Sequence, residues 1–153
     1  LQNFDAAIAD ATTLLSIDST SAMAYWHRAV CQIAMSGFKA SNGVDVKLQE
    51  AGALSDLNKA IALKPQNAYL YYCRANLYAH QGNNEKAVAD YTSAIKLDNR
   101  FAEAYFNRGL TYITLDNRSQ GVKDLSKAGE LGLYSAYNII KKNSASATKK
   151  QSK

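Results

Sequence analysis

Two histidines, two cysteines and a recurring set of arginines and aspartates are the residues of this 153-residue chain whose chemistry stands out. His27 and His80 are the only imidazoles. Such a pair could sense pH or hold a ligand. Neither has a Cys or a carboxylate at metal-ligand spacing, so partly exposed histidines are expected and no metal is. Cys31 and Cys73 form no CxxC, which reads as two small buried thiols and favours a reducing compartment, with export left open. The nucleophile elbow GxSxG, the zinc helix HExxH and the phosphate loops GxxxxGK and GxGxxG are all missing from the sequence. No catalytic residue is therefore assigned, and no enzyme, cofactor or small-molecule substrate is expected.

The charged set points elsewhere. Arg28, Arg74 and Arg108 recur, as do Asp10, Asp56, Asp90 and Asp124. A charge pair that returns at regular intervals is a structural device rather than one active site. Two pairings are open: within a unit, as Arg28 with Asp56, or between units, as Asp10 with Arg28. In either case such pairs orient helices more than they stabilise them.

The interval itself is the strongest signal. Tyr71, Ala75, Tyr78, Ala87, Tyr91, Ala94 and Leu97 return 34 residues later as Tyr105, Gly109, Tyr112, Gly121, Leu125, Ala128 and Leu131. Residues 68–97 and 102–131 share nine identities in thirty, where ordinary composition gives roughly two. A fixed period of this length means stacked supersecondary units. Within one unit, Tyr71, Ala75 and Tyr78 share a helix face, with Asn67 as its N-cap. Gly82-Asn83-Asn84 breaks the chain, and Ala87, Tyr91, Ala94 and Leu97 line a second, antiparallel helix.

The units are placed at 22–67, 68–101 and 102–135. The first of them carries twelve extra residues between its helices. A loop is expected at 37–44, then a second helix capped by Asp45 and lengthened from Val46. Phe4, Ala7, Ala11, Leu14 and Ile17 match a second helix alone, so 1–21 reads as half a unit cut from a longer array, and self-association through that open half is expected. A short end helix is expected at 134–142. The last thirteen residues hold five lysines and no acid, whereas the remaining 140 residues are neutral. Residues 143–153 read as a disordered basic tail beyond a domain at 1–142.

At these residues the chain resembles the tetratricopeptide repeat proteins. Tyr71, Ala75, Tyr78, Ala87, Tyr91 and Ala94 match the pattern fully. Tyr105, Gly109, Tyr112, Leu125 and Ala128 match it with Gly121 in place of Ala. Tyr25, Ala29, Ala53, Leu57, Ala60 and Pro65 match it with Gln32 in place of Tyr. The resemblance implies an all-α, right-handed superhelical solenoid of antiparallel helix pairs: three full repeats, an N-terminal half-repeat and a C-terminal capping helix. It also implies a non-catalytic scaffold or adaptor that holds a peptide or partner protein in a groove lined by the first helices.

By the same resemblance the groove positions include Trp26, His27 and Val30, then Tyr69, Tyr72 and Asn76, then Phe106, Asn107 and Leu110. Trp26, Tyr69, Tyr72 and Phe106 lie off the core face, and aromatic rings are favoured interface anchors. The competing reading is extra packing between neighbouring first helices. Some relatives clamp a C-terminal carboxylate with cations. Here Asn76 and Asn107 fit, but Trp26 and Glu103 stand where the cations belong, so that clamp is not expected. The alternative function is an adaptor touching nucleic acid or an anionic surface through the Lys-rich tail, with nucleic acid the less favoured partner.

Overall fold

The computed structural model describes residues 3–41 and 46–150. Among the described residues every regular element is helical: α1 (Phe4–Ile17), α2 (Ala22–Ser41), α3 (Lys47–Leu63), α4 (Ala68–His80), α5 (Asn84–Leu97), α6 (Ala102–Thr114), α7 (Arg118–Glu130) and α8 (Ser135–Lys150). None of them is long and apolar enough to cross a membrane. The chain divides into two compact units, Leu1–Leu77 and Tyr78–Lys153.

Short polar side chains start α1, α2 and α4. Asn3 Oδ1 accepts from the Ala6 N–H at 3.2 Å, Ser21 Oγ from Ala24 at 3.3 Å, and Asn67 Oδ1 from Tyr69 at 3.0 Å. Each satisfies an N–H that the helix itself leaves unpaired. Between helices the chain turns on Asp18, whose carboxylate accepts from the Thr20 N–H at 2.8 Å and hydroxyl at 2.6 Å. Those bonds hold the Asp18 carboxyl below its ordinary range. Asp98 makes the same turn with Arg100 N–H at 2.9 Å.

In the first unit the core runs along the facing sides of α2, α3 and α4. Ala29, Ala53 and Leu57 are completely buried with Cys73 and Leu77, and Ala60, Ile61 and Leu70 continue the seam. The insertion departs from expectation. Residues 37–41 continue α2 rather than forming a loop. Gly37 costs a helix only about 1 kcal/mol, and α2 offsets this by packing on α3. The expected remainder of the loop, 42–45, and the Asp45 cap lie outside the described residues. α3 starts at Lys47, and at 17 residues it is three longer than α5, as expected; α2 is seven longer than α4.

In the second unit α6 and α7 approach so closely that side chains larger than hydrogen are excluded. A methyl at Gly121 would lie 2.6 Å from Ile113 Cγ1 and 2.8 Å from Gly109 O. Gly109 meets Leu125 while Gly121 meets Ile113, which makes the pair antiparallel. The turn after α4 is closed by Gly82 in the left-handed region (φ 76°), with Asn83 N–H donating to Tyr78 O at 2.8 Å. The turn after α6 repeats this geometry with Asp116 at φ 59°. Helix α8 runs to Lys150, beyond the expected end at 142. The expectation of a disordered tail is thus corrected over 143–150. Ser, Ala, Thr and Lys there include no Gly or Pro to stop a helix.

Candidate binding face on the first helices

The first helices α2, α4 and α6 are oriented by their arginines. Arg28 grips Asp56 with two hydrogen bonds of 2.7 Å, and Arg108 grips Asp124 at 2.6 and 2.9 Å. Both pairs lie within one repeat, which resolves the open pairing for them. The third guanidinium nitrogen reaches back to the preceding second helix: Arg28 Nη1 to Thr12 at 3.2 Å, Arg74 Nη1 to Asn58 at 2.6 Å, Arg108 Nη1 to Thr92 at 2.9 Å. Thr12, Asn58 and Thr92 each stand two residues after an aspartate of the recurring set. That fixed interval is a signal the sequence carries. Each guanidinium also lies over the tyrosine three residues earlier, 5.6–5.9 Å from the ring of Tyr25, Tyr71 or Tyr105. Hydrogen bonding to Asp56 raises the Arg28 pKa against the cost of burial. For Arg108 burial pulls down most strongly, and Asp124 still lifts the group above its ordinary value.

With the helices fixed, the two units use equivalent faces differently. In the first unit, Trp26 meets Tyr69 edge-on at 5.9 Å between centroids, Tyr69 meets Tyr72 at 5.9 Å, and His27 lies 6.2 Å from Trp26. Trp26 packs on both core clusters and Tyr72 on one, so each ring is half committed to the fold. Tyr69 is 48% exposed and His27 is also exposed, whereas Val30 and Asn76 are half-buried. Beneath these rings burial pushes the Cys73 thiol up, with a smaller opposite pull from Trp26 and Tyr69. The Trp26 indole N–H is buried and makes no full hydrogen bond among the described residues.

In the second unit, Phe106 and Leu110 pack on the cluster of Leu125, Ala128 and Ala136, which Ile139 and Ile140 of α8 also cover. Asn107 is half-buried, and its carbonyl accepts from the Thr111 hydroxyl at 2.8 Å. Packing between neighbouring helices therefore accounts for much of the aromatic surplus there. Trp26, His27, Tyr69 and Tyr72 are brought together in one array. Phe106, Asn107 and Leu110 form a separate set in the other unit.

Sequence reasoning also missed a polar strip on the lengthened α2–α3 pair. Gln32 Oε1, Ser36 Oγ and Gln49 Oε1 are buried there without hydrogen-bond partners among the described residues. Gln32 replaces the usual Tyr and lies over Gly52, where an added methyl would come 3.1 Å from Gln32 Nε2.

A chain of paired helices with glycine- and alanine-filled seams is a helical-repeat protein. The family descriptions "TPR repeat" (75–116) and "Tetratricopeptide repeat" (57–89 and 102–131) match it, and the chain belongs to the tetratricopeptide repeat family. No curated protein sequence shows a significant match. Among solved structures, it is similar to crystalline MamA at 26% identity and TM-score 0.75, over 89% of this chain and 72% of that one. It is similar to TTC0263, a thermophilic TPR protein of Thermus thermophilus, at 20% identity and TM-score 0.72, over 93% and 72%. It also resembles the first TPR of Spaghetti (RPAP3), solved with the HSP90 peptide SRMEEVD, at 22% identity and TM-score 0.63, over 80% and 95%.

Proposed function

We propose that the chain is a non-catalytic scaffold whose first-helix faces hold a peptide segment of a partner protein. The observation that carries this reading is the Trp26–Tyr69–Tyr72 array with His27 beside it. These contiguous rings supply large apolar area at low entropic cost while remaining open to solvent on one side. Val30 and Asn76 flank the array on the same two helices. In the second unit Phe106, Asn107 and Leu110 hold the equivalent positions and would offer a smaller apolar face of their own. The peptide bound to the RPAP3 repeat supports the general mode, but its acidic C-terminus does not carry over. Trp26 and Glu103 leave no cation where a carboxylate clamp needs one, so the ligand expected here is an internal segment with aliphatic or prolyl side chains.

Selection from a random peptide library displayed on phage tests this. Selected peptides should lose at least tenfold in affinity when Tyr69 is changed to Ala, with the thermal melt unchanged. Tyr69 is a cleaner probe than Tyr72, because Tyr72 also packs on the core. Peptides whose affinity ignores both Tyr69→Ala and Tyr72→Ala would overturn the assignment.

A further inference from the structure

Given that the Trp26–Tyr69–Tyr72 array is the peptide-binding face, as proposed above, its geometry also narrows the kind of peptide. Trp26 and Tyr69 cross at 67° with centroids 5.9 Å apart, and Tyr69 and Tyr72 tilt by 37° at the same separation. Three rings in contact leave shallow clefts between them rather than a deep pocket. Such clefts suit a flat, compact ring. They are too shallow for the long side chains by which a helical ligand anchors itself in a groove. Trp26 and Tyr72 are held by the core clusters they pack on, so the clefts exist before a ligand arrives.

The face positions themselves are uncharged. Positions 23, 26, 27, 30, 69, 72 and 76 hold no Lys, Arg, Asp or Glu, so neither an acidic nor a basic segment finds its counter-charge among them. Among the described residues every regular element is helical, so no sheet edge is at hand to pair the backbone of a strand-like peptide. A polyproline II segment needs neither. It is neutral, and its backbone has no internal hydrogen bonds and stays solvated. Its residues i and i+2 lie about 6 Å apart along the axis, close to the 5.9 Å steps from ring to ring. Prolines lose little freedom on binding, and their C–H groups, beside an electron-withdrawing amide, meet the negative faces of aromatic rings. The exposed His27 imidazole stands 6.2 Å from Trp26 and can donate an N–H to a carbonyl of the ligand. We propose that the array takes a proline-rich segment in the polyproline II conformation, with prolyl rings seated in the clefts on either side of Tyr69.

Parallel selection by the intact chain from two displayed peptide libraries, one proline-rich and one without proline, is the test. Binders should come from the proline-rich library. In a selected peptide, replacing its prolines with alanine should weaken binding about tenfold or more. Its prolyl ring protons should move upfield in the NMR spectrum of the complex, because they sit over aromatic faces. Tyr69→Ala should weaken the same peptide about tenfold or more, whereas Tyr69→Phe, which keeps the ring, should not. Circular dichroism should show both variants folded, since Tyr69 is solvent-accessible. Proline-free peptides that bind through Tyr69 while no proline-rich peptide does would overturn the polyproline assignment and leave the binding face standing. Selected peptides whose prolines are dispensable, or show no upfield shift, would do the same. Binders from neither library, or binders indifferent to both Tyr69→Ala and Tyr72→Ala, would remove the binding face and this assignment together.

Discussion

The face around Trp26 and the face around Phe106 occupy equivalent repeat positions and have different fates. In the first unit the rings lie half in the core and half in water. In the second, Phe106 and Leu110 pack on a cluster that α8 also covers. A repeat position thus specifies where a side chain points, and the next helix decides whether it becomes core or contact surface. An end helix trades binding area for closure, because a stack's last apolar face must be covered.

The largest effect that can break this comparison lies at the base of the covered face. Leu125 is completely buried, and Leu125→Ala should cost about 3–5 kcal/mol in denaturant unfolding through the cavity it leaves. Phe106→Ala should cost about 2–3 kcal/mol, since a half-buried ring loses less than a full cavity. Gly121→Ala should cost about 1–3 kcal/mol by pushing Ile113 and the Gly109 backbone away. Tyr69→Ala, on the open face, should cost under about 1 kcal/mol while removing peptide affinity. A Tyr69 variant as unstable as the Phe106 variant would erase the distinction between the faces. The smallest effect has the opposite sign. Asp116 adopts the left-handed geometry that Gly82 takes in the preceding repeat, so Asp116→Gly should raise stability by up to ~1 kcal/mol. Thermal unfolding of that variant checks it.

Much of the fold was legible because repeat spacing and helix period are both local signals. Ala75, Gly109 and Leu125 announced their buried roles by type and interval alone. Exposure of the site was less legible. Nothing local distinguishes Trp26 from Phe106, and the end helix expected at 134–142 does not reveal by its pattern which rings its Ile139 and Ile140 pack beside. The continuation of α2 through 37–41 was hidden for a related reason: Gly37 looks like a breaker, yet a methyl there would meet nothing within 4 Å. Gln32, Ser36 and Gln49 became visible as a buried polar strip only once α2 and α3 were set side by side. The arginine ladder was half legible. The charges advertised themselves, while the neutral oxygens of Thr12, Asn58 and Thr92 that complete it did not.

Trp26 is the sole tryptophan of the chain, so its emission reports directly on the open face. Titration of a library-selected peptide into the intact protein should shift or quench that emission with a single saturating curve. In the Tyr69→Ala protein the midpoint should move at least tenfold higher. A peptide that binds by calorimetry yet leaves Trp26 emission and the Tyr69→Ala midpoint unchanged would contradict the assignment of the Trp26–Tyr69–Tyr72 array as the binding surface.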